Sequence, residues 1–113
     1  MDLWDDTERN LVELNTELSR NGEPARIRYM VIQPDPDWVD EWMVTTVWEL
    51  PPPDAGREVW PDQKLVGYEQ MLADRLAGVA STSCLFRTAK TVSKAFRNAR
   101  PVPEIADRIP EGR

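Results

Sequence analysis

The chain has no histidine and a single cysteine, Cys84, among its 113 residues. Without histidine, the commonest general base and metal ligand is missing, and so are the serine and cysteine triads that depend on it. One cysteine cannot form an intrachain disulfide or build a zinc site. The plain expectation for Cys84 is a small buried hydrophobe in a reducing compartment. Glycine is sparse, with 5 residues, and neither GxxxxGK[ST] nor GxGxxG occurs, so a phosphate-cradling loop has no support. No apolar run approaches the ~20 residues of a membrane helix. The opening stretch MDLWDDTE is acidic and lacks both the basic and the apolar region of a secretory leader. These absences predict a cytoplasmic chain with no membrane association, no cofactor, no metal and no catalytic activity.

A carboxylate-only cation site would have to use Asp35, Asp37, Asp40 and Glu41. Set against the calcium-loop pattern from Asp35, the sixth position is Asp40 where glycine is required, and the twelfth is Thr46 where a bidentate glutamate belongs. The pattern fails, and the stretch reads as a solvated acidic loop.

What is present is charge and tryptophan. The net charge of −6 is unevenly placed: residues 1–63 carry 15 acidic and 5 basic side chains (−10), while residues 64–113 carry 5 and 9 (+4). Opposite halves predict mutual packing within one molecule or, between copies, a homo-oligomer joined through acidic and basic surfaces. Three of the 5 tryptophans stand in WVDEWMVTTVWEL, residues 38–50. From residue 43 this stretch alternates, with Trp42, Val44, Thr46, Trp48 and Leu50 on one face, which predicts a strand with Trp42 and Trp48 in the core. Asp35-Pro36-Asp37 upstream suggests one helical turn before it. Pro51, Pro52 and Pro53 must end it.

The remaining elements follow from spacing. Residues 5–20 read as a helix with Trp4, Thr7, Leu11, Leu14 and Leu18 on one stripe, closed at Gly22. Residues 25–33 alternate as a second strand, near enough to pair antiparallel with 43–50. Residues 51–63 form a long connection that carries Trp60, a ring either anchored on the core or presented to a partner. A second helix spans about 64–80, with Leu65, Tyr68, Leu72, Leu76 and Val79 on one side. A third is predicted over 83–99, because Leu85, Ala89, Val92, Phe96 and Ala99 recur at four, three, four, three. Arg87, Lys90, Lys94 and Arg97 would then share its far side. The alternative is a third strand at 83–89, since Cys84, Phe86 and Thr88 also fit a period of two. The stretch from 101 to 113 is proline-rich and reads as an extended tail to a domain of residues 1–100.

The expected fold is therefore a small single-domain α+β protein of order α-β-β-α-α. With the strand at 83–89 the order becomes α-β-β-α-β-α, a ferredoxin-like neighbourhood. The expected function is a non-catalytic protein-binding module, an adaptor, inhibitor or regulator acting through Trp60, Arg87, Lys90, Lys94 and Arg97. The alternative is nucleic-acid binding along the basic face of the 83–99 helix. Two segments, LADRLAGVASTS and TVSKAFRNARPVPEIADRI, are similar to fragments of helix-turn-helix motifs. The second begins some twelve residues after the turn of the first, where a recognition helix should follow within a few.

Overall fold

The computed structural model describes residues 2–52, 60–92 and 97–104. Its elements run α1 (Leu3–Arg20), β1 (Arg26–Pro34), β2 (Trp42–Glu49), α2 (Asp62–Arg75), β3 (Ser81–Arg87) and β4 (Arg100–Pro101). The described residues form a mixed four-stranded sheet of order β3-β2-β1-β4 with two helices, a small α+β fold. None of those helices is long and apolar enough to cross a membrane.

Local chemistry sets the limits of α1. The Asp2 carboxylate accepts the Trp4 backbone N–H at 2.9 Å, and Asp5 and Asp6 add negative charge to the first turn, where the helix dipole favours it. At the other end Glu23 N–H donates to Leu18 C=O and Gly22 N–H to Ser19 C=O, with Gly22 at φ 73°. Those two bonds are a Schellman closure, which needs a left-handed residue that glycine adopts without Cβ strain. Thr7, Leu11, Leu14 and Leu18, four, three and four apart, are the buried stripe.

β1 and β2 form the expected antiparallel hairpin, from Arg26 opposite Glu49 to Pro34 opposite Trp42. A bulge between Ile27 and Tyr29 shifts the register. Asn15 of α1 repairs the backbone beside it: its side-chain amide donates to Ile27 C=O at 3.0 Å and its carbonyl accepts Ile27 N–H at 2.8 Å. A buried side chain thus does the work of a neighbouring strand. α2 carries the chain from β2 to β3, which pairs parallel with β2 from Met43–Ser81 to Glu49–Arg87.

The helices cover the face holding Ile27, Met30, Ile32, Val44 and Trp48, and these join Leu11, Leu14, Leu18, Leu72 and Leu76 in the core. Trp48 stacks on Tyr68 (centroids 5.3 Å apart) and meets Phe86 at 5.6 Å. Its indole N–H donates to Thr46 Oγ1 at 2.7 Å, so the ring is buried with its one polar atom satisfied. On the opposite face Val31 and Val47 are also buried. β3 and β4 lie at opposite sheet edges, and Val92 in the chain between them is buried as well.

Four expectations are corrected. Residues 83–99 do not form a third helix: β3 occupies Ser81–Arg87, close to the alternative placed at 83–89, and the order becomes α-β-β-α-β before the short β4. The four-three spacing is real, but the open edge of β2 offers backbone partners across the sheet, and Phe86 gains Trp48 and Tyr68 as ring neighbours. The ferredoxin-like order is likewise replaced, because β2 and β3 pair directly, whereas a split βαβ unit holds another strand between them. Residues 35–41 make no helical turn. Trp42 is 46% exposed and lies outside the core.

Two boundaries also move. α2 ends at Arg75 rather than 80, and Gly78 at φ 81° turns the chain toward β3, leaving Val79 exposed. The proline-rich stretch begins inside the fold: Pro101 pairs with Tyr29, and Val102 packs into the core after donating its N–H to Arg28 C=O.

Candidate binding surfaces

The β1–β2 hairpin ends in a loop that its own backbone holds closed. Asp35 N–H donates to Glu41 C=O at 2.9 Å, and the Asp35 carboxylate accepts Asp37 N–H at 2.8 Å, an Asx turn. Glu41 N–H reaches Trp38 C=O, and Asp40 takes a left-handed φ of 65°. Aspartate tolerates that conformation better than most residues. Pro34 and Pro36 stiffen the entry. Asp35, the first carboxylate of the acidic run, thus builds the loop, and Asp37, Asp40 and Glu41 point to solvent. No cluster of metal-ligating side chains occurs among the described residues.

This loop gathers exposed apolar side chains on one short stretch. Trp38 is 67% exposed and Val39 90%, with Trp42 beside them where β2 begins. Around these apolar groups stand Asp37, Asp40 and Glu41, without an ion pair among the described residues. The sequence holds no lysine or arginine between Arg28 and Arg57. The tip is therefore aromatic and uniformly negative. Nothing in the periodicity singles it out. The usable signal was a tryptophan and a valine placed between turn-forming Pro and Asp residues.

Trp60 is half-buried against the core, and its indole N–H donates to Pro51 C=O at 3.0 Å. It ties together the two ends of the connection that leaves β2 and enters α2. Residues 53–59 of that connection lie outside the described residues.

Of the predicted cations, Arg87, Lys90 and Arg97 are not aligned by a helix. Arg87 is the last residue of β3, half-buried, with its guanidinium on Phe86 C=O at 2.9 Å. Lys90 stands in the turn after it and Arg97 before β4, both exposed, while Lys94 lies outside the described residues. Arg100, not singled out from the sequence, stacks on Trp4 at 3.9 Å.

Elsewhere polar groups serve as ties. The Tyr68 hydroxyl donates to Glu23 at 2.6 Å, and Lys64 pairs with the same carboxylate at 2.9 Å. The Tyr68 bond and Lys64 together hold the Glu23 carboxyl below its usual range, while burial and then Glu23 raise Tyr68. Arg75 joins α2 to Glu13 and Glu17 of α1. Cys84 meets the Thr46 hydroxyl at 3.6 Å, and burial, opposed by that hydroxyl, pushes the thiol up to about 11. Burial thus disfavours the thiolate form.

Beside Cys84 a groove of about 380 Å³ runs between α2 and β3, lined by Val66, Glu69, Gln70, Ala73, Thr82 and Ser83. No family model, curated protein or solved structure matches the chain.

Proposed function

We propose that the protein is a small cytoplasmic binding module without chemistry of its own, which acts by seating the 34–42 hairpin tip on another protein. The observation that carries this reading is the exposure of Trp38, Val39 and Trp42 on one closed loop. A loop fixed by its own hydrogen bonds loses little conformational entropy on binding, and tryptophan is the residue most enriched at interface hot spots. The complementary surface is an apolar pocket rimmed by lysine or arginine, because Asp37, Asp40 and Glu41 surround the rings. Trp60 and Arg87 support this surface only at a distance, as parts of the frame.

The test is a comparison of captured proteins. Wild-type protein and a Trp38→Ala/Trp42→Ala double variant are immobilised in equal, folded amounts and exposed to extract of the native cell. The expected result is a partner retained by the wild type, released by salt and lost with the double variant. Identical capture by both would overturn the tip as the contact.

The nucleic-acid reading rested on one helical face over 83–99; β3 takes up its first residues, and Arg87, Lys90 and Arg97 sit on a strand end and two turns. Labelled duplex and single-stranded DNA should show no salt-dependent anisotropy change with this protein.

A further inference from the structure

β3 is an edge strand. It pairs with β2 on one side, and no strand among the described residues pairs with it on the other. In a parallel pair, alternate residues direct both backbone groups to the same neighbour. Arg87 C=O accepts Leu50 N–H, so Arg87, Leu85 and Ser83 face β2. The N–H and C=O groups of Thr82, Cys84 and Phe86 therefore point outward, with the Phe86 C=O already held by the Arg87 guanidinium at 2.9 Å and the others open to an added strand.

Edge strands are usually blunted by proline, lysine, a bulge or short length. β3 has none of these over its seven residues, STSCLFR, and its register with β2 is unbroken. Its only charge is Arg87, at the end.

The groove between α2 and β3 runs beside this open backbone. Val66 and Ala73 supply apolar walls, and Thr82 and Cys84 supply the β3 side. Glu69 lines the groove too, exposed and without a hydrogen bond or ion pair among the described residues. A helix flanking a strand edge that no described strand covers has the form that accepts an added strand: main-chain bonds give affinity and the groove reads alternate side chains.

We infer that the β3 edge binds an extended peptide segment of a partner protein, antiparallel to β3, with a cationic side chain on Glu69 flanked by small apolar side chains against Val66 and Ala73. The site is separate from the hairpin tip, and neither depends on the other.

The probes are two acetylated, amidated heptapeptides, TVTKTVT and TVTETVT, which share strand propensity and differ in central charge. Each is titrated into isotope-labelled protein and followed by amide resonances. The expected result is perturbation centred on Thr82, Cys84 and Phe86, with TVTKTVT bound about tenfold more tightly, since the pair exchanges one attraction for one repulsion. Glu69→Lys should reverse that order. Thr82→Pro should abolish binding of both peptides and keep the circular dichroism spectrum, because proline removes only an outward donor there. If that variant fails to fold, Glu69→Lys decides alone. Equal affinity for the two peptides, shifts confined to other elements, no shifts at all, or a dimer that excludes both peptides would each overturn the inference.

Discussion

The two ends of the β1–β2 hairpin treat the same residue type in opposite ways. Trp48 and Trp42 stand on the same face of β2 by parity, yet Trp48 is fully buried and Trp42 is 46% exposed. Around Trp48 lie Tyr68 from α2 and Phe86 from β3. Around Trp42 are the closed loop 35–41 and its carboxylates. Alternation sorts residues between two faces of a strand, but cover comes from other elements and does not extend along the whole strand. Burial is thus a property of the tertiary neighbourhood, and the uncovered end is where an aromatic ring remains available to a partner.

The sharpest way to break this comparison is at the covered end. Trp48→Ala should lower unfolding free energy by about 3–5 kcal/mol in urea denaturation, from lost transfer energy and a cavity beside Tyr68 and Phe86. A loss under about 1 kcal/mol would mean that the ring is not the core's centre.

Next in size is Asn15→Leu. The change strands the N–H and C=O of Ile27 in a buried place, at a cost of about 1–3 kcal/mol for an unsatisfied group. Faster amide exchange at Ile27 would locate the effect.

The Tyr68–Glu23 tie sharpens the contrast through pH. Glu23 is depressed from its ordinary 4.5, first by Tyr68 and then by Lys64. The folded state therefore holds fewer protons than the unfolded one near that pH. The contribution is present above about 4.5 and fades as acid takes the pH down through the folded value. Tyr68 works in the other direction: its pKa is raised above 10.0, so its contribution is full below 10.0 and is lost as alkali carries the pH upward. Tyr68→Phe should make both pH limbs of the urea midpoint shallower. Unchanged limbs would place the dependence elsewhere.

At the tip the expected effect on stability is the smallest. Trp38→Ala and Trp42→Ala should each change unfolding free energy by no more than about 0.5 kcal/mol. Acrylamide quenching of the remaining tryptophan fluorescence should fall in the double variant, because the accessible rings are removed. A large destabilisation would turn the tip into core and end the comparison.

Much of the frame was readable from residue order. The α1 stripe and its Gly22 closure, the alternation of 25–33 and 43–50, and their antiparallel pairing all rest on local spacing and turn chemistry, and the structure has them in those places. The 83–99 segment failed for a physical reason. Its apolar residues satisfy a helical period and a strand period at once over 83–89, and the deciding term was the unfilled edge of β2, many residues distant. The candidate surfaces were less legible still. Trp60 could be named but not assigned, because a loop ring has no period; its bond to Pro51 C=O is what ties it down. Trp38 and Val39 gave no signal beyond their loop, since exposure is not written in a pattern. The groove beside β3 could not be foreseen while that segment was read as a helix.

By itself the sequence determined the elements whose causes lie within one or two turns of chain: the α1 stripe, a helix-closing glycine, alternating strands and the proline stop after β2. It also determined that the chemistry of histidine and paired cysteines is unavailable. Only the tertiary structure decided which end of β2 is covered, that 81–87 joins the sheet, and that Arg87, Lys90 and Arg97 share no helix face. Those outcomes depend on backbone partners and packing surfaces far apart in sequence, and such long-range pairings outweigh a local periodicity that satisfies two structures equally well.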